Sequence, residues 1–220
     1  AGAETFANSF RIEKQLEAFD ALSRRFDELG FKSVPRHVAC SAAAFNYPDQ
    51  VRDRVRFGIA QYGFWPSEET RMTYLRGEGS RRAKTTNLES VMSWKSRVMN
   101  VKRVPRGEFV GYGNSYQAPR RMRVAAVPAG YYHGFPRTQS NLGTVLIGGR
   151  PASVVGSVNM NMVLVDVTDV PEVSLGQDVV LIGRQGDAKM SVGAFGERTH
   201  TLNYEVLVRL PETIPRVVVE

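Results

Sequence analysis

The spacing of apolar residues changes character once along this 220-residue chain, near residue 88, and no other feature narrows the fold as much. Before that point, helical and strand-like segments alternate. In residues 10–29 the apolar Ile12, Leu16, Phe19, Phe26 and Leu29 recur at helical intervals, with charged residues such as Arg11, Glu13, Lys14, Glu17 and Asp20 between them. That spacing predicts an amphipathic helix stopped by Gly30. Residues 31–39 read as a short buried strand entering Cys40-Ser41, residues 42–47 as a helical piece ended by Pro48, and residues 55–62 as a second strand closed by Gly63. Helix–strand–helix–strand order implies parallel strands with helices packed outside. Groups that do chemistry in such sheets stand at the carboxyl ends of the strands, here around Ser41 and residues 58–63.

Beyond residue 88 the signals are nearly all β. Residues 91–104 read as a strand broken by Pro105-Arg106-Gly107, and short β-branched runs follow at 123–127, 144–147, 154–158, 163–167 and 179–182. Turn chemistry separates them, with Gly130, Gly134, Gly148-Gly149, Pro151, Pro171, Gly176 and Gly183. Residues 191–195 suggest a helical turn and 204–210 a final helix or strand, while the polar residues 66–87 read as a linker or loop. The expected architecture is an α/β barrel fragment over residues 1–75 followed by an all-β domain, a barrel or sandwich, over 76–220. A complete eightfold barrel takes about 250 residues, so the first segment supplies only closing strands. Such a portion leaves edges and apolar faces uncovered, and a further upstream barrel segment is expected.

Composition narrows the function classes. At 42% apolar and 23% charged residues the chain has the balance of a soluble globular protein, and it has no stretch near the roughly 20 apolar residues of a membrane span. Residues 1–9 have neither the charged nor the apolar region of a signal peptide. The lone Cys40 fits a reducing, cytoplasmic location, and with only His37, His133 and His200 beside it no metal site is expected. A net charge of +7, with basic clusters at Arg81-Arg82-Lys84 and Arg120-Arg121-Arg123, would suit an RNA-binding barrel. Those clusters lack the interleaved aromatics of a stacking platform, so the charge reads as solvated surface and no nucleic-acid partner is expected.

Four ordered stretches carry a family resemblance: His37-Val-Ala-Cys-Ser-Ala-Ala43, Val55-Arg-Phe-Gly-Ile-Ala-Gln-Tyr-Gly63, Gly130-Tyr-Tyr-His-Gly-Phe-Pro-Arg137 and Val158-Asn-Met-Asn-Met162. Together, and with Tyr204-Glu-Val-Leu207 near the end, they resemble the C-terminal half of the alanine racemase family, pyridoxal-phosphate isomerases that supply D-alanine for bacterial wall synthesis. The resemblance implies a barrel followed by a β-domain, the cofactor pyridoxal 5′-phosphate, and a homodimer whose sites are shared between subunits. It implies phosphate binding by Ser41, by backbone N–H groups at Gly58 and Ile59, and by Tyr204. It places Arg56 opposite the pyridine nitrogen with His37 holding its plane, Tyr131 as the catalytic proton carrier, and Met160 on the substrate carboxylate. A guanidinium cannot surrender its proton, so a ring nitrogen facing it stays unprotonated.

Two parts of the implied site are altered or missing. None of Lys14, Lys32, Lys84, Lys95, Lys102 or Lys189 lies in the sequence type that carries the family's Schiff-base lysine, so the chain alone is expected to have little or no racemase activity. Cys40 stands where the family usually has Asn, Tyr132-His133 where it has Ala-Asp, and Asn161 where it has Asp. These departures leave open a different amino-acid substrate or a dimerisation scaffold without chemistry. Taken singly, Ser41 would cap the helix at Ala42, and Tyr131, Tyr204 and Met160 would be packing residues.

Overall fold

The computed structural model describes residues 2–76, 88–197 and 201–219. The chain divides into two compact units, Ala1–Val91 and Met92–Glu220.

In the first unit the expected amphipathic helix is α1 (Ser9–Glu28), followed by Gly30 at a φ of 91°, a conformation glycine adopts freely. Only Ile12 of its apolar stripe is buried; Phe26 and Leu29 are exposed. Ile12 packs with Ala3 and Ala42, flanked by Leu16, Ala43 and Tyr47. The second helix, α2 (Ser41–Asn46), stops before Pro48 as expected. A third, α3 (Glu68–Arg76), occupies what reads as linker: its polar sequence hides a helix started by the Ser67 hydroxyl, which accepts the Thr70 N–H at 3.0 Å. The basic cluster Arg81-Arg82-Lys84 lies outside the described residues.

The two strands expected in this unit are not ladder strands. Residues 31–39 and 55–58 run parallel, joined by the Arg54 N–H to Arg36 O bond (3.1 Å), the Arg56 N–H to Ala39 O bond (3.0 Å) and a single bridge, Cys40 to Arg56. With two backbone hydrogen bonds and one bridge the pairing is too short to form a regular ladder, and no third strand flanks the segments among the described residues. The stretch expected to complete the second strand is instead a 3-10 helix, Ile59–Tyr62, ended by Gly63 in the left-handed region.

The second unit is antiparallel throughout its described strands. One sheet runs β1 (Trp94–Arg97), β7 (Asp178–Gln185), β4 (Thr144–Ile147), β5 (Arg150–Ser153), with β8 (Ala188–Met190) paired to β7. The other runs β2 (Asn100–Val104), β3 (Met122–Val127), β6 (Val163–Asp166). The single strand expected over 91–104 is thus two strands in different sheets. Its hydrogen-bond partner changes at one step, Val98 bonding to Gln177 and Met99 to Ala126. Pro151 reads as a turn but sits in β5, an edge strand, where a missing N–H is tolerated; Gly148 and Gly149, both at positive φ, make the hairpin before it. The expected strand 154–158 is reduced to a bridge from Val154 to Val165, because Gly156 turns away at a φ of 81°. Two short helices follow, α4 (Val192–Glu197) and α5 (Asn203–Val208).

The core of this unit holds Val145, Ile147, Val163, Val165, Val179 and Leu181, all fully enclosed. A second group of packed rings, Trp94, Phe135 and Phe195, has centroids 5.2–6.1 Å apart. Of the second basic cluster, Arg120 pairs with Asp169 at 2.6 Å and Arg123 donates to the Val170 carbonyl. The Arg120 hydrogen bond holds the Asp169 carboxyl below the ordinary aspartate value. A depressed folded-state value stabilises the fold above the unfolded-state value, and that contribution is lost as pH falls through the folded one. Urea midpoints of wild type and Asp169→Asn are therefore expected to differ slightly near neutrality and to converge in acid, the pair being exposed.

Candidate functional site

Two sets of the singled-out residues are brought together, one in each unit. In the first, the parallel segments place His37 and Arg56 side by side: Arg56 Nη1 lies 2.6 Å from His37 Nδ1, and Nη2 donates to the Val38 carbonyl at 3.3 Å. Both side chains are exposed, so their geometry comes from this mutual contact. One guanidinium edge is held while the other donors remain available.

Ser41 is 2% exposed and opens α2, whose cap position is Cys40. Its hydroxyl does not cap the helix. It accepts the Gly58 N–H at 3.1 Å, across 17 residues of sequence. The hydroxyl's own proton has no acceptor among the described residues. The Ile59 N–H, at the start of the 3-10 helix, likewise has no partner among them. A Cβ placed on Gly58 would meet nothing within 4 Å, so packing within the unit does not demand glycine there. Space is left beside a buried hydroxyl donor and an open amide. Those features suit an anion's oxygens.

In the second unit Tyr131 begins a 3-10 turn, Tyr131–His133, that lies against residues 159–160. The Tyr131 N–H donates to Asn159 O and the Tyr132 N–H to Met160 O, both at 3.0 Å. Tyr131 and Met160 are both largely exposed, at 43% and 53%. The Met160 N–H has no acceptor among the described residues. A phenol and an open amide are thus presented on one locked pair of loops. Tyr204 is half-buried in α5 of the same unit. Sequence reasoning missed the Val38 and Asn159 carbonyls, which act through backbone and leave no residue-type signal. It also missed Gly130, where a Cβ would stand 2.2 Å from Asn159 O and 2.3 Å from Met160 O.

Known proteins are similar to this chain over most of its length. Residues 91–218 match the profile of "Alanine racemase, C-terminal domain" and residues 3–66 that of "Alanine racemase, N-terminal domain". The alanine racemase of Leptospira interrogans (strain Fiocruz L1-130) is 37% identical over 94% of this chain and 52% of its own length; that of Halothermothrix orenii is 34% identical over 98% and 54%. The chain thus spans about half the length of the curated relatives it matches. The structure of alanine racemase from Streptomyces coelicolor A3(2) is similar with a TM-score of 0.85 at 32% identity, over 99% of this chain and 54% of that one. That from the D-cycloserine-producing Streptomyces lavendulae gives a TM-score of 0.86 at 29% identity, over 100% and 55%. With an α/β-barrel portion followed by an all-β domain, and both profiles matched in order, the chain belongs to the alanine racemase family.

Proposed function

We propose that this chain forms the phosphate-binding and substrate-facing part of an alanine racemase that works with pyridoxal 5′-phosphate and a second copy of itself. The barrel part lies within the first unit, Ala1–Val91, and the β-domain is the second, Met92–Glu220, in a cytoplasmic protein. One observation carries the reading: a buried Ser41 hydroxyl, fixed by the Gly58 N–H, has a proton and no acceptor for it among the described residues. When bound, the cofactor supplies an electron-withdrawing ring that makes the α-proton of an amino acid labile.

The chain's residues then divide the remaining work. Ser41 donates to a phosphate oxygen, Gly58 keeps that hydroxyl turned and leaves room for close approach, and the Ile59 N–H adds a second donor. Tyr204 completes the phosphate set. Arg56, oriented by His37 and the Val38 carbonyl, donates toward the ring nitrogen and retains its proton. Met160 offers its N–H to the substrate carboxylate, and Tyr131 moves the α-proton on one face of the substrate, each serving the site of the partner copy. None of the six lysines lies in the family's barrel-lysine setting, so the 220 residues alone are expected to bind the cofactor without turning over alanine.

Ser41→Ala tests the reading. It is expected to weaken pyridoxal-phosphate binding to this chain by about tenfold or more, by loss of a hydrogen bond to a charged group, with pyridoxal binding unchanged. Absorbance or calorimetric titration reads both. Equal loss for the two ligands, or no binding preference for the phosphate form in the wild type, would sink it.

A further inference from the structure

The turn that presents Tyr131 is held by a side chain for which the reading above has no use. Gly130, whose backbone is pressed against Asn159 and Met160, donates its N–H to Nδ1 of His133 at 3.2 Å. The His133 N–H returns to Gly130 O at 2.9 Å, and Phe135 N–H to the same carbonyl at 3.1 Å. The four residues Gly130 to His133 therefore form a closed loop with Tyr131 as its second member. His133 is half-buried, and its ring stands edge-on to that of Tyr132, with centroids 5.3 Å apart and planes at 89°. The imidazole thus holds the residue before Tyr131 by a hydrogen bond and the one after it by ring contact.

We infer that His133 is a positioning residue for Tyr131: through its unprotonated Nδ1 it holds the Gly130 amide and keeps the Tyr131 turn in register with Met160. The inference rests on Tyr131 being the proton carrier of the proposed racemase. The physical reason is local. Gly130 has no side chain to anchor it, its position is tight against two carbonyls, and its amide has no other acceptor among the described residues. Without the imidazole that amide lies buried and unpaired, and the turn can relieve this only by lifting from residues 159–160. Such a lift separates the phenol from the amide that would hold the substrate. The bond requires the tautomer with its proton on Nε2.

Amide hydrogen exchange on the 220-residue chain, which needs no cofactor, reads the bond directly. His133→Ala is expected to speed exchange at Gly130 and Tyr131 by about tenfold, the size of one lost hydrogen bond, with β3 amides unchanged. His133→Asn, whose Oδ1 occupies a place similar to Nδ1, is expected to restore protection. Nitrogen-15 shifts of the wild-type ring should report Nδ1 as unprotonated. Unchanged exchange in His133→Ala, no rescue by His133→Asn, or a proton found on Nδ1 would each overturn the assignment. In a pyridoxal-phosphate-loaded racemase dimer carrying this sequence, His133→Ala should lower kcat about tenfold, leave KM for alanine within about twofold, and be rescued by His133→Asn. Absence of wild-type turnover there would overturn the racemase reading, while the exchange data would still decide whether His133 holds the turn.

Discussion

Gly130→Ala is expected to destabilise the second unit by about 3 kcal/mol and to abolish the pairing of Tyr131 with residues 159–160. The backbone at Gly130 is extended (φ −135°, ψ −169°), a conformation alanine adopts without strain, so the effect is steric alone. The added methyl would lie 2.2 Å from Asn159 O, 2.3 Å from Met160 O and 2.5 Å from the Met160 carbonyl carbon. None of these is a flexible side-chain end; all are backbone of the loop that also accepts the Tyr131 and Tyr132 N–H groups. Either the loops part and two hydrogen bonds are lost, or the methyl displaces strand β6 beyond Met162. Urea denaturation followed by tryptophan fluorescence would measure the loss, since Trp94 reports on this unit. A change below about 1 kcal/mol would show that the loops are not pressed together as described.

Phe135→Ala is expected to cost about 3–5 kcal/mol, the range for emptying a large buried aromatic position. Phe135 is fully buried, with ring centroids 6.1 Å from Trp94 and 5.2 Å from Phe195. Its N–H closes the turn that starts at Gly130, so the ring works as the root of the loop carrying Tyr131. Buried Gln139, four residues on, donates through Nε2 to the Phe195 carbonyl and ties the same aromatic group to the following turn. The variant is therefore expected to lose both stability and edge-to-face ring contacts, seen as a fall in the near-ultraviolet circular dichroism of Trp94. A loss near 1 kcal/mol with that signal intact would mean that the neighbouring rings collapse into the space.

The two halves of the chain differed in how legible they were. In the β-domain, β-branched runs bounded by glycine and proline marked β3, β4 and β6 to within a residue and the first half of β7, which continues three residues past the expected end, because each is buried on its own sheet and pairs within the same unit. The errors there fell on pairing rather than on composition. Residues 91–104 looked like one strand since nothing local reveals that Val98 and Met99 bond to different sheets, and Pro151 looked like a turn since edge position is a property of the assembled sheet. In the first unit α1 and α2 were legible from spacing and stop residues, whereas the expected strands were not ladders. A strand's existence depends on a neighbour to bond with, which periodicity does not encode.

The same division holds for the candidate site. Residue types and their order pointed to His37, Ser41, Arg56, Tyr131 and Met160, since a motif is a one-dimensional object and family membership follows from it. Which atoms face which was not contained in that order. That Ser41 accepts the Gly58 amide instead of capping its helix, that Arg56 is braced by His37 and the Val38 carbonyl, and that His133 holds Gly130 all depend on backbone groups brought side by side. A backbone amide or carbonyl is identical at every position. Only the folded chain makes one of them a partner, and that choice belonged to the tertiary structure alone.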